Sequence, residues 1–277
     1  MSYFSGKLAF ITGGSSGIGL ETAKLLASQG CRVVIFARNK NRLEQARGEI
    51  ISVRSNPEQS VESVSMDVAD HTDVKEKIKT AVESFGTPDI LINSAGVGSG
   101  DYFENITPEQ FDSVMKINVY GTWNSVSAVL PYMKDKGAGQ IANISSLAGL
   151  VGMFGYSLYG TTKYAVVGMS EALRAELRPF NIQVTLFCPP EVDTPFLAVE
   201  ENSLPPQGRA VKSLGGLLKP EQAAKALLKG IKRKRFFVMP GIAARFLHFN
   251  HRISNGLLTR IPSDWITDLV TWRLKKD

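Results

Sequence analysis

Tyr159 and Lys163 stand four positions apart in the stretch YGTTK, which reads as helix, so both side chains fall on one face. A phenol exchanges protons poorly near neutrality because its ordinary pKa is about 10. An ammonium beside it favours the phenolate, and a lowering large enough to matter at neutral pH corresponds to roughly 3–4 kcal/mol. Such a pair could move a proton to or from an oxygen. Ser146, at the end of the run QIANIS, offers a hydroxyl that could hold a carbonyl. Asn118, in KINVYG, sits in a helical stretch that Asn does not favour. Taken singly, each has an ordinary reading: an exposed helical pair, a strand-end cap, a helix kink.

Residues 12–19 read TGGSSGIG, with KLAFI before them and IGLETAKLLASQG after. The first flank is the kind of short apolar run that forms a buried parallel strand. In the second, Ile18, Ala23, Leu25 and Leu26 fit one side of a helix, and Gly30 is a plausible stop. Gly13, Gly17 and Gly19 therefore occupy a strand-to-helix turn. Such a turn points unpaired N–H groups and the positive end of the helix dipole at whatever lies above it, and phosphate suits that position. Alone, the motif is equally well a tight turn without a ligand.

The elements that would position these groups are regular. Apolar runs recur at KLAFI, RVVIF, VESVSM, DILIN, QIANIS and IQVTLFC, separated by helical stretches. One helix follows Asn39 and carries Leu43, Ala46 and Ile50; others are expected over 108–134, over 159–178 up to Pro179, and from Pro220. β-α alternation of this kind predicts a parallel sheet covered on both faces. The segment EVDTPFLAVEENSLPPQGRA, rich in Pro and acidic residues, reads as a mobile loop over a site, within 191–215.

With 277 residues, 43% of them hydrophobic, the chain can bury a sizeable core. Cys31 and Cys188 lie in apolar runs and read as small buried hydrophobes. Three histidines without Cys/His ligand spacing give no reason to expect a metal. No secretory leader is read in MSYFSGK and no apolar run is long enough for a spanning helix, so a cytoplasmic protein is expected. The net charge of +6 is uneven: residues 232–277 hold ten Lys/Arg and three Asp, whereas the rest hold 22 basic and 23 acidic residues. The basic character thus belongs to the tail, and no nucleic-acid-binding module accompanies it.

TGGSSGIG, NSAG at 93–96, Asn118, Ser146 and the Tyr159–Lys163 pair, in this order and spacing, resemble the short-chain dehydrogenases/reductases over residues 6 to about 196. The resemblance implies an α/β Rossmann-type doubly wound parallel sheet with helices on both faces, here followed by a C-terminal amphipathic helical extension. The expected division is a catalytic domain over 1–231 and the extension over 232–277. It also implies an oxidoreductase in which a nicotinamide supplies hydride, Tyr159 a proton, Lys163 the charge beside it, and Ser146 the grip on the carbonyl. Asn118 would hold a water that extends a proton relay to Lys163. Ser145 is a rival for the serine role, but the family spacing of thirteen residues to the tyrosine selects Ser146, and Ser145 would point to the other side of the strand.

The same resemblance implies that Gly13, Ser15, Ser16, Gly17, Ile18 and Gly19 cradle the cofactor phosphates and that Asp67 and Val68 flank its adenine. Asn93 and Gly96 would line the groove, Tyr159 and Lys163 touch the cofactor as well, and Val192 and Thr194 hold its carboxamide end. Pro189-Pro190 departs from the usual Pro-Gly and stiffens that approach. The second strand ends FARNKNR without an acidic residue for a ribose hydroxyl. Arg38, with Lys40 and Arg42 behind it, suits a 2′-phosphate, so NADP(H) is expected; a solvated basic helix start is the competing reading of Lys40 and Arg42.

Residues 145–165 and 188–202 resemble, within the family, the 3-ketodihydrosphingosine reductases, which implies a lipidic ketone as substrate. Hydroxysteroid or 3-oxoacyl reduction, and a non-catalytic NADP(H)-binding sensor or scaffold, are the alternatives. Glu191, Asp193, Glu200 and Glu201 could attract a substrate ammonium, or form a solvated acidic loop. In the tail, Ile242, Phe246, Phe249, Ile253 and Leu257 share one helical face, with Arg245, His248 and Arg252 roughly opposite. That pattern fits peripheral contact with an anionic lipid surface, or packing on the protein itself or on a second subunit. The family implies a homo-oligomer.

Overall fold

The computed structural model describes residues 2–276. Strand β1 (Leu8–Thr12) leads into α1 (Gly17–Ala27), β2 (Arg32–Ala37) into α2 (Lys40–Ser52), and β3 (Val61–Ser65) into α3 (His71–Phe85). Strand β4 (Ile90–Asn93) leads into one long helix made of α4 (Pro108–Met115), a π turn (Lys116–Tyr120) and α5 (Gly121–Lys136). Strand β5 (Gly139–Ile144), α6 (Ser157–Leu177) and β6 (Ile182–Phe187) follow. Then come β7 (Glu191–Val192), α7 (Pro195–Ser203), α8 (Pro206–Lys212), β8 (Leu217–Leu218), α9 (Pro220–Lys232), β9 (Phe237–Val238), α10 (Ile242–Ile253) and α11 (Leu257–Leu274).

The main sheet has the order β3-β2-β1-β4-β5-β6-β9, and every pairing is parallel. Alternation along β1 divides the core. Ala9 and Ile11 face one hydrophobic cluster, with Leu26, Leu43, Ala46, Ile50 and Leu227 from α1, α2 and α9. Leu8 and Phe10 face the other, with Ile78, Val129 and Leu177 from α3, α5 and α6. Burial on both faces is why these strands read as unbroken apolar runs rather than alternating ones. The sheet is the doubly wound one expected, with helices on both faces and helices at its C-terminal end.

Two local features differ from the sequence reading. The segment after β6 is not a loop: Pro195 and Pro206 each occupy the first turn of a helix, where a missing N–H costs nothing. The sheet continues past residue 232, because Phe237 and Val238 pair with Leu186 and Phe187. Helix α11 runs through Pro262.

The α10–α11 hairpin packs through one side only. Ala244 and Thr259 are buried, and Thr271 Oγ1 accepts a hydrogen bond from Gln207 Nε2 of α8 at 3.1 Å. Its other side leaves Ile242 85%, Phe246 69% and Trp265 66% exposed. No helix among the described residues is long and apolar enough to cross a membrane.

Candidate active site

The strand order reverses between β1 and β4, and the crevice above that point is where open α/β sheets bind ligands. A cavity opens there, with Gly13, Gly17, Gly96, Ser146, Tyr159 and Lys163 among the residues lining it.

The glycine turn is shaped for close approach. Gly13 has φ +67° and Gly17 φ +54°, a region that side chains other than glycine's resist. A Cβ on Gly13 would stand 2.7 Å from the Ala95 backbone, and one on Gly19 would run into the Gly13 carbonyl. Gly19 thus lets α1 seat against the turn and does not itself line the cavity. Ser16 caps α1 without a side-chain hydrogen bond, so the first amides of the helix face the cavity side of the turn. Ser16 and Ile18 line the cavity; Ser15, half-buried, does not. Gly14, which the motif reading passed over, packs so closely on Ile35 that a Cβ would lie 2.6 Å from it.

The reacting groups come from β5 and α6. Ser146 follows β5 and its Oγ accepts from Ala148 N–H at 3.1 Å. Ser145, the rival, also lines the cavity but commits its Oγ to donating to the Lys163 carbonyl at 2.9 Å, fixing α6 on the strand end. Tyr159 and Lys163 are buried, at 7% and 6% exposed, one turn apart on α6. Lys163 Nζ donates to the Ile144 carbonyl at 3.1 Å and stands 5.5 Å from the Tyr159 ring centre.

The electrostatics correct the expectation of a phenol made acidic by its neighbour. Burial pushes the Tyr159 hydroxyl up, the Glu200 carboxylate adds to that, and only the Ser146 side chain opposes it. Burial also pulls the Lys163 ammonium down to about 8. At neutral pH the chain therefore presents a protonated phenol beside a still-charged lysine.

Asn118, buried in the π turn, has its side chain engaged. Oδ1 accepts from Val97 N–H at 2.8 Å, and Nδ2 donates to the Val97 carbonyl at 3.0 Å and to Thr162 Oγ1 at 3.1 Å. It ties the segment after β4 to α6, one residue from Lys163, and does not line the cavity. A π turn is a common way to aim a side chain at a functional site.

Other expected cofactor contacts divide into two groups. Val192 and Thr194 line the cavity, and Thr194 reaches the glycine turn: a Cβ on Gly17 would stand 3.1 Å from its Cγ2. Asn93 donates to Asn143 Oδ1 at 2.8 Å, while its own Oδ1 is buried without a protein partner. Asp67 and Val68 lie apart from the cavity lining. Asp67 Oδ1 accepts from Ala69 N–H at 3.0 Å, and Val68 packs on Gly121. Arg38, Lys40 and Arg42 are exposed around the start of α2, whose cap is Asn39 Oδ1 accepting from Arg42 N–H at 3.0 Å.

The upper wall holds residues that no motif marks. Phe196 of α7 sets its ring 5.8 Å from that of Tyr159, and Tyr156 sits 5.5 Å away on the other side. Lys212 of α8, buried, ion-pairs with Glu191 at 2.9 Å and Glu200 at 3.0 Å. Glu200 is buried, Asp193 is exposed, and the Glu201 side chain lies outside the described residues.

A model of the short chain dehydrogenase family matches residues 7–204. A 3-dehydrosphinganine reductase of Danio rerio is 36% identical over 233 residues, 84% of this chain and 70% of that protein. A 3-ketodihydrosphingosine reductase of Mus musculus is 39% identical over 220 residues, 79% of this chain and 66% of that protein. The chain thus spans about two thirds of the length of these relatives. Among solved structures, a short-chain dehydrogenase of Sphingobium yanoikuyae in complex with NADPH superposes with TM-score 0.76 at 27% identity, covering 90% of this chain and 94% of that one. One from Burkholderia phymatum in complex with NAD gives TM-score 0.79 at 27% identity, covering 92% and 97%. A match of that length, with its motif residues gathered where the strand order reverses, places the chain in the short chain dehydrogenase family.

Proposed function

We propose that the protein is an NADPH-dependent reductase of a lipidic ketone, with 3-ketodihydrosphingosine reduced to dihydrosphingosine as its reaction. The observation that carries the reading is the convergence of Ser146, Tyr159 and Lys163 on one cavity beside the glycine turn. The names of the relatives supply the substrate, and the apolar upper wall at Phe196 and Met153 suits it.

The residues present fit a dinucleotide. Gly13, Ser16 and Gly17 line the cavity, and the first amides of α1 carry no side-chain cap there. Arg38, exposed past β2, favours the 2′-phosphate form. Bound there, NADPH would supply the hydride. Ser146 Oγ donates a hydrogen bond to the ketone oxygen and holds it beside Tyr159. Tyr159 gives up its hydroxyl proton to that oxygen; burial ensures that the proton is in place beforehand. The Lys163 charge stabilises the phenolate left behind, and Asn118 keeps α6 and the segment after β4 in register.

The exposed apolar side of α10 and α11, flanked by Arg245, Arg252 and Arg260, suits the surface of an anionic membrane, from which a long-chain substrate would arrive. A second copy of the chain suits the face of α4–α6, where Tyr120 is 53% and Trp123 60% exposed.

The test is NADPH oxidation with 3-ketodihydrosphingosine beside a steroid ketone and a 3-oxoacyl thioester. Preference for the first is expected. Preference for either of the others reassigns the substrate, and NADPH binding with no ketone reduced turns the reading into a sensor.

A further inference from the structure

A second space lies beside the catalytic cavity and takes no part in the chemistry described so far. It is an open groove between the short turn Phe103–Asn105, the segment 152–156 after β5, and the first turns of α6. Its apolar surface is aromatic: Tyr102 and Phe154 meet edge to face at 5.9 Å, and Phe103 and Tyr164 are 79% and 45% exposed. Among the described residues that line it there is no Lys, Arg or His, and the acidic ones are Asp101 and Glu104. Asp101 Oδ1 is already engaged, by Tyr102 N–H at 2.7 Å and Asn105 Nδ2 at 2.9 Å. A phosphate or carboxylate therefore meets no counter-charge in the groove, whereas a hydrocarbon chain meets rings to cover.

Met153 and Tyr156 line both the groove and the catalytic cavity. The two spaces thus share these two side chains, one of them a methionine, which adapts readily to an irregular neighbour. The joint of α7 and α8 is shut more firmly. Leu204, 2% exposed, fits so closely among glycines that a Cβ on Gly100 would stand 2.6 Å from it, and one on Gly155 or Gly208 2.9 Å. With a ketone oxygen at Ser146 and Tyr159, a substituent too long for the cavity leaves by the Met153 and Tyr156 side, where apolar surface continues.

We propose that this groove is the subsite for the hydrocarbon tail of the substrate, a long linear chain laid across Met153 and Tyr156 towards Phe103 and Tyr164. The inference rests on the reductase reading above and adds where the tail lies. It also makes the groove the source of a chain-length preference, because each methylene laid on it leaves water.

One glycine allows a test that adds bulk instead of removing packing. Gly152 lines the groove, has no left-handed φ, and a Cβ there would meet nothing within 4 Å. In the wild-type protein, kcat/KM should rise about tenfold or more from hexan-3-one to decan-3-one, since half-burial of the added methylenes is worth about that much. Gly152→Phe should bring this ratio to about twofold or less, and Phe103→Asp should lower it as well. A flat wild-type response, or a ratio that Gly152→Phe leaves unchanged, overturns the proposal. A second measurement needs no turnover. Tetradecan-3-ol carrying a diazirine at its far end, photolysed with the full chain and NADP+, should label residues 101–104 or Tyr164. Label confined to α7 or to the α10–α11 hairpin overturns the proposal. Label in the groove with no ketone reduced leaves the chain site standing and removes the reductase reading; ketone reduction with neither that label nor a chain-length response does the reverse. If Phe103→Asp turns a dimer into a monomer in sedimentation and keeps the ratio, the groove belongs to a second copy and the proposal falls.

Discussion

Helix α6 and the α10–α11 hairpin both carry aromatic and basic side chains, and the protein treats them in opposite ways. On α6, Tyr159 and Lys163 are 7% and 6% exposed; on the hairpin, Phe246 and Trp265 are 69% and 66% exposed. The difference lies in what backs each helix. Helix α6 lies against a sheet, is bound to β5 through Ser145, and is tied to the π turn through Thr162 and Asn118. The hairpin touches α8 and the turn beside it, and its outer side leaves Ile242, Phe246 and Trp265 exposed. Burial shifts the phenol and the ammonium of α6 away from their ordinary pKa values, whereas the hairpin leaves its aromatic side chains on the surface.

Substitutions on the two helices should separate these roles, beginning with the largest effect. Tyr159→Phe removes the proton donor and should lower ketone reduction by about a thousandfold, with NADPH affinity by fluorescence titration changed little. Loss of binding together with turnover would show that the ring serves the cofactor instead. Lys163→Met should also abolish useful turnover, yet raise the melting temperature at pH 7. The folded pKa of about 8 lies below the ordinary 10.5, so the folded state holds fewer protons than the unfolded one between those values. Wild-type stability contributed by this group thus rises from pH 8 to 10.5, and at pH 7 its burial costs on the order of 3 kcal/mol. The gain in the variant should fade towards pH 10.5; a variant less stable at pH 7 would mean that its bond to the Ile144 carbonyl outweighs desolvation.

Much of this was legible in the sequence, for identifiable reasons. Strands β1 to β6 announced themselves because full burial makes a parallel strand a continuous apolar run. The outer face of α10 was legible because its side chains follow an undisturbed 3.6-residue period, and Ile242, Phe246, Phe249 and Ile253 are exposed. Strand β9 was not, since Phe237 and Val238 follow a basic stretch and gain their strand character only from β6. Helices α7 and α8 were hidden because proline signals a break or a first turn with the same letter. Lys212 had no sequence mark at all: its partners lie 12 and 21 positions back, and a lone lysine reads as solvated. The direction of the Tyr159 shift comes from burial first and Glu200 second, and the spacing of Tyr159 and Lys163 contains neither.

Two smaller effects sharpen the contrast. Arg38→Ser should raise KM for NADPH about tenfold and leave that for NADH nearly unchanged, because only the former offers a phosphate to a guanidinium. Phe246→Glu should change the free energy of unfolding by less than about 0.5 kcal/mol, since the ring packs on little, while abolishing flotation with anionic vesicles. A large loss of stability would place the outer side of the hairpin inside an interface.

Gln207 makes two modest bonds with a long reach. Its amide oxygen accepts from Tyr102 Oη at 3.2 Å and its nitrogen donates to Thr271 Oγ1 at 3.1 Å, joining stretches 105 and 64 positions away. It stands on the same short helix as Lys212, five residues earlier. Whatever tugs the final helix away from the body therefore pulls on a latch, and the loosened latch frees the wall that holds the ion pairs of Lys212. The end of the chain and the cavity wall are in this way mechanically joined, with this carboxamide reinforcing the packing of α11 on α8.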